Sequence, residues 1–143
     1  MTLAKRAAVI AGLQRATYRE RGRGPDAFDC WGLFAAASLA LFGRVVPDDD
    51  VDPANPRAVA RAFTRHPARA AFRSIGVPAP VFAAPDGAAV MLSRGDLPFH
   101  IGLWLQPERR VLHCCPSQHV VFEPVSHLQA SLWRIRDVLI QQP

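Results

Sequence analysis

The stretch FDCWGLFAAASLALFG, residues 28–43, decides how the chain is read. One cysteine, Cys30, stands directly after Asp29 at the mouth of an apolar run that closes on Gly43. The run reads as a buried helix that starts near Asp29 or Cys30, with Gly43 as its C-terminal stop. It is too short to span a bilayer, which needs about 20 apolar residues. A helix N-terminus offers unpaired backbone N–H groups and a positive partial charge. Both stabilise a thiolate, and they also stabilise an oxyanion forming next to the sulfur. The plain alternative is a cysteine buried for packing alone.

On the N-terminal side, Leu3, Ala7, Ile10, Leu13 and Thr17 recur at helical spacing. They predict an amphipathic helix from about Leu3 to Tyr18 that ends at the RGRGP loop. Lys5 and Arg6 precede the apolar run AAVIAGL, but Gln14 and Arg15 interrupt it and no small-residue cleavage site follows. That is a helix rather than a signal peptide. Beyond Gly43, VVPDDDVDPANP has no periodicity and reads as a loop. In NPRAVARAFTRHP, Asn55 caps a short helix with Pro56 at its first position, and Pro67 stops it. After the proline-rich VPAPVFAAPDG come five β-like segments: AAVMLS, HIGLWLQ, RRVLHCC, HVVFEPV and LWRIRDVLI. Turns at Pro107 to Arg109 and Pro116 to Gln118 separate three of them. Helices first and an antiparallel meander after them is an α+β arrangement. We read one domain over residues 1–143, with 44–86 as a variable helical and loop insert.

A chain of 143 residues buries a core without staples. Seventeen Lys+Arg against twelve Asp+Glu give a net charge of +5 and an isoelectric point near 10.1. The balance favours anionic partners: nucleic acid, anionic lipid or anionic cell-wall polymer. The arginines are spread along the chain with no compact basic block or aromatic patch, so no nucleic-acid partner is expected. Three cysteines, two of them adjacent and none in a CxxC pair, point to a reduced compartment. A zinc set of His113, Cys114, Cys115 and His119 would strain strand geometry, and neither a metal nor another cofactor is expected. No segment is expected to insert into a membrane.

His100 opens the strand HIGLWLQ. Its side chain shares a face with Gly102 and Trp104, opposite the apolar face of Ile101, Leu103 and Leu105. There a general base could meet a helix N-terminus. His113 follows on the next strand, within reach of His100 across an antiparallel pair, where a second imidazole orients the first. Each has a plain alternative: a surface histidine at a loop end for His100, a satisfied core histidine for His113. His119 competes for the third role, and His66 and His127 read as surface residues.

With these residues in place, the chain resembles the NlpC-type cysteine peptidases, papain-like enzymes that cut bacterial cell-wall peptides. FDCWGL resembles their nucleophile motif, with Trp31 where many members carry serine. DLPFHIGLWL, Asp96 to Leu105, resembles the histidine motif, and RVLHC, Arg110 to Cys114, the following strand with its third polar residue. Tyr18 lies twelve residues before Cys30, similar to the family's tyrosine–glycine approach, in which Gly22 matches. The similarity covers about Tyr18 to Gly43 and Gly87 to Val125. It implies a papain-like fold in which Cys30 attacks a peptide carbonyl, His100 shuttles the proton and His113 orients His100. The Cys30 N–H and the Tyr18 hydroxyl would stabilise the oxyanion. The implied substrate is a peptidoglycan stem peptide, cut between D-γ-glutamyl and a diamino acid.

The DCWGL variant with its long middle insert most resembles the branch encoded with phage-tail and gene-transfer-agent genes. Phage tail proteins are then expected partners, with synthesis in the cytoplasm without a signal peptide and action, virion-associated, at the periplasm or cell wall. Two further readings stay open: a tail-assembly component whose peptidase fold serves for contact, and a cysteine amidase or transferase acting on another amide.

Overall fold

The computed structural model describes residues 1–48, 51, 55–65, 67–75, 81–95 and 97–141. In chain order the elements are α1 (Leu3–Leu13), β1 (Thr17–Tyr18), β2 (Ala27–Phe28), α2 (Cys30–Phe42), α3 (Pro56–Arg65), β3 (Phe72–Ser74), β4 (Ala89–Arg94), β5 (Leu97–Leu105), β6 (Arg110–Cys115), β7 (His119–Pro124), α4 (Val125–Ala130) and β8 (Arg134–Gln141). Short 3₁₀ turns cover Pro67–Ala71 and Val81–Ala83.

The helix ends follow the sequence signals. Asp29 Oδ1 accepts from Gly32 N at 2.7 Å and caps α2, and Gly43 closes it in the left-handed region at φ 63°. Asn55 Oδ1 accepts from Ala58 N at 3.2 Å at the start of α3. The loop predicted over Val45 to Pro56 falls partly on residues 49, 50 and 52–54, outside the described residues, as does His66. α1 ends at Leu13 rather than Tyr18. Thr17 and Tyr18 leave the helix to pair in parallel with Ala27 and Phe28. The loop between these strands closes tightly on Gly22, where a Cβ would come within 2.8 Å of the Arg19 and Ala27 carbonyl oxygens.

The main sheet has the order β3-β8-β4-β5-β6-β7 and every neighbouring pair is antiparallel. The meander runs through β4 to β7. α4, which the sequence reading passed over, then returns the chain so that β8 pairs with β4 and β3.

Alternation along the strands builds two cores. On one face Ile101, Leu103, Leu105, Leu112 and Cys114 pack with Ile10 of α1 and with Leu33, Phe34, Ala37 and Leu41 of α2. On the other, Val90, Leu92, Trp104, Val111 and Cys115 pack with Val125 and Leu128 of α4 and with Trp133. Burying each such Leu or Val stabilises the fold by roughly 1.5–3 kcal/mol. Arg6, buried in α1, ties that helix to the strand connections through Asp86 at 2.6 Å and Glu108 at 2.5 Å. The α2 helix lies across β5 and β6, and this positions the site.

Candidate active site

Cys30 occupies the first turn of α2, half-buried and unbridged. Asp29 holds that turn in two ways. Besides capping the helix, its Oδ1 accepts from Arg23 Nη1 at 2.8 Å and its Oδ2 from Arg21 N at 3.1 Å. A single carboxylate thus fixes the helix mouth to the Tyr18–Gly22 approach. Gly32 is required here because a Cβ would collide with Gly22 O. Trp31 donates its indole N–H to Pro47 O at 3.0 Å, so it pins the segment after α2 to the helix mouth.

Tyr18 lies within electrostatic reach of Cys30. Its hydroxyl pKa is pushed up to about 12, first by burial and then by the negative charge that Cys30 can carry. The phenol therefore remains an O–H donor at any working pH. Its backbone N–H donates to His119 Nδ1 at 3.0 Å, so His119 fastens β1 to the start of β7. His127 is exposed.

His100 and His113 come together. His100 Nε2 lies 2.9 Å from His113 Nδ1, and both rings are buried. Gly102 permits this approach, since a Cβ there would come within 2.6 Å of Val111 Cγ1 and 3.4 Å of His113 Cβ. The contact continues to a residue the sequence reading did not single out: His113 Nε2 lies 2.9 Å from Glu123 Oε1. With Glu123 ionised, His113 Nε2–H donates to the carboxylate and His113 Nδ1 is left to accept from His100 Nε2–H. The free lone pair of the relay is then on His100 Nδ1. Glu123 is held below the usual carboxylate range, chiefly by this hydrogen bond. Burial, then the neighbouring His113 and Arg94, hold His100 well below the ordinary histidine value, so it stays neutral and able to accept a proton. Trp133 stacks on His100 with ring centroids 4.6 Å apart and 21° between planes.

The relay and α2 flank the same stretch of β6 from its two faces. His100, His113 and Glu123 project with Trp104 and Val111, whereas Cys114, next to His113, turns to the α2 side. Cys114 Sγ lies 3.4 Å from Phe28 O, two residues before Cys30. Among the described residues, β5 and β6 pair only from Leu103↔Leu112 to Leu105↔Arg110. The ladder thus stops short of His100 and Cys114, at the end of the sheet over which the mouth of α2 lies. Among the described residues no cluster of three metal-ligating side chains forms. Nor is any helix among them long and apolar enough to cross a membrane.

The solved structure of the NlpC/p60 domain of the peptidoglycan hydrolase SagA is similar over 99% of this chain and 100% of that one, with a TM-score of 0.60 at 18% identity. The chain has the NlpC/p60 fold. No protein-family model matches the sequence, and no curated protein matches it. In the NlpC/p60 fold of this chain, the α+β, papain-like layout places the N-terminal helices on the antiparallel sheet, as the motifs around Cys30 and His100 imply.

Proposed function

We propose that the protein is a cysteine peptidase that hydrolyses peptidoglycan stem peptides. The reading is supported by the relay of His100, His113 and Glu123, together with Cys30 in the first turn of α2, the helix that lies across β5 and β6. The similar SagA domain belongs to a peptidoglycan hydrolase, which supports this substrate class.

In the proposed reaction, the Cys30 thiol gives its proton to His100 Nδ1 and the sulfur attacks the scissile carbonyl. This requires Sγ and Nδ1 to meet where the β5–β6 ladder has ended. The imidazolium that forms is stabilised through His113 by the Glu123 carboxylate. The Cys30 N–H at the helix terminus and the Tyr18 hydroxyl donate to the tetrahedral oxyanion. His100 then protonates the leaving amine, and water, deprotonated by the same imidazole, releases the acyl group from sulfur. The bond we assign is D-γ-glutamyl to diamino acid, and the DCWGL motif with its long insert supports a phage-tail association with tail proteins as partners.

Purified peptidoglycan incubated with wild type and Cys30→Ala, with fragments analysed by mass spectrometry, tests this. Wild type should release stem-peptide fragments ending at the γ-glutamyl carboxyl, and Cys30→Ala none. Fragments equally abundant with both proteins would refute the thiol mechanism, and none with either would refute the hydrolase.

A further inference from the structure

The backbone N–H groups of the β1 region divide between two partners. Thr17 N and Arg19 N donate to Asp26 O and Phe28 O on the β2 side, both at 3.0 Å. Tyr18 N points the other way and donates to His119 Nδ1, also at 3.0 Å. His119 is the first residue of β7, the edge strand of the six-stranded sheet. An edge strand carries backbone groups that could extend its ladder onto a neighbour. Yet β1 and β7 belong to separate sheets, and an imidazole makes the tie instead.

A second tie lands on the same register pair. Tyr18 stands opposite Phe28, and Phe28 O accepts from Cys114 Sγ at 3.4 Å. Cys114 and His119 both come from the turn end of the β6–β7 hairpin, where Cys115 pairs with His119. The hairpin thus grips both strands of the ribbon that leads into Cys30, and His119 is the residue that holds Tyr18 directly. A ribbon of two residues is marginal by itself, so the outside tie matters.

The backbone of His119 supports a dedicated role. It is held at φ 57°, in the left-handed region, where a residue other than glycine costs energy and where functional positions gather. Glycine would fit this turn without strain but would supply no acceptor. His100 has His113 as its ring partner, so the relay does not call on His119. Tyr18 and Cys30 pack against one core. We propose that His119 is a positioning residue for Tyr18: by accepting from its backbone N–H, it anchors β1 to the sheet edge and holds the phenol at the mouth of α2. The proposal deepens the peptidase reading and rests on it for the oxyanion role of the hydroxyl. Without the tie, β1 drifts from the edge and the hydroxyl spends less time at the reacting carbonyl. Turnover then falls, whereas substrate binding, which does not use this donor, changes little.

Tyr18 is the only tyrosine of the chain, so tyrosinate absorbance in the near ultraviolet reads this side chain alone. At about pH 10.5 a free phenol is mostly ionised. In the wild type, burial and then the Cys30 charge push the Tyr18 pKa up to about 12, so less than about a tenth should be ionised. His119→Gly removes the acceptor while suiting the left-handed turn. It should at least double the tyrosinate fraction and lower kcat on a stem peptide about three- to tenfold, with KM little changed. His119→Asn should restore both measurements, since its Oδ1 stands as many bonds from the backbone as Nδ1 and asparagine tolerates the same φ. Over Tyr18→Phe, His119→Gly should cost no further activity, because both residues act through one hydroxyl.

A wild-type tyrosinate fraction equal to that of the chain unfolded in guanidinium overturns the proposal. So does an asparagine variant no better than glycine, since the acceptor is then irrelevant, and so do losses that multiply over Tyr18→Phe. The two readings fail separately. If wild type cleaves the stem peptide and His119→Gly matches it in kcat or in tyrosinate fraction, the positioning role falls and the peptidase stands. If wild type cleaves none while the tyrosinate fraction still follows the glycine and asparagine variants, the peptidase reading falls and the His119–Tyr18 tie stands.

Discussion

At the scale of single residues, the buried relay sets the pH response of the fold and, in the proposed reaction, the chemistry. His100 has a folded pKa well below its ordinary 6.5, so the unfolded chain takes up its proton first as pH falls. Stability is therefore highest above about pH 6.5 and declines as pH drops from there towards the folded value. Glu123, lowered from 4.5, adds a loss in the same direction at more acidic pH, since its contribution vanishes as the carboxylate protonates. Urea unfolding midpoints should fall between pH 7.5 and 5.5, and His100→Gln should flatten that slope. A wild-type midpoint constant over this range would contradict the depressed His100. The catalytic counterpart concerns Glu123 as a positioning residue. Glu123→Gln keeps an acceptor but removes the charge that stabilises the imidazolium. It should lower kcat by about tenfold or more and move the acid limb of the pH–rate profile to lower pH, with KM little changed. An unaltered profile would reduce Glu123 to a packing partner of His113.

At the scale of elements, the mouth of α2 is the most exacting piece of the molecule. Asp29 serves Gly32 N, Arg21 N and Arg23 together, so the cap and the preceding loop depend on one side chain. Asp29→Ala should cost about 1–2 kcal/mol in chemical denaturation and Asp29→Asn less, because the amide oxygen still caps. Equal losses for both would show that the Arg23 ion pair, rather than the cap, carries the effect.

The α2 helix was legible because its signals are local: an acid cap, an unbroken apolar run and a terminal glycine. The end of α1 was not. Thr17 continues its helical spacing, and only the closure of the Tyr18–Phe28 loop around Gly22 pulls it into a strand. The pairing of His100 with His113 could be read from strand alternation plus one short turn. Glu123 carried a weaker signal, an acid inside an apolar strand, and its value depends on the β6–β7 register that sets it opposite Val111, beside His113. Trp133 gave no local sign at all, since it reaches the imidazoles only after α4 has carried the chain back over the sheet.

At the scale of the whole molecule, the sheet separates two cores and the candidate site draws on both. The helical core fixes the thiol through α2, and the opposite core fixes the imidazoles through Trp133 and Glu123. The expectation of an α+β chain with helices preceding an antiparallel sheet follows from pattern alone. The crossover that sends β8 to β4 does not, because it is decided by which sheet edge remains open once α4 is packed. The central claim is that thiol and relay, approaching β6 from its two faces, act as one catalytic unit. Groups that act as a unit are strongly non-additive when removed. The direct measurement is kcat/KM on a purified stem peptide for wild type, Cys30→Ala, His100→Ala and the double variant under one set of conditions. Each single change should cost about 10³-fold or more, and the double variant should lose no more than the worse single. Losses that multiply in the double variant, or a His100→Ala protein as active as wild type, would contradict a shared site.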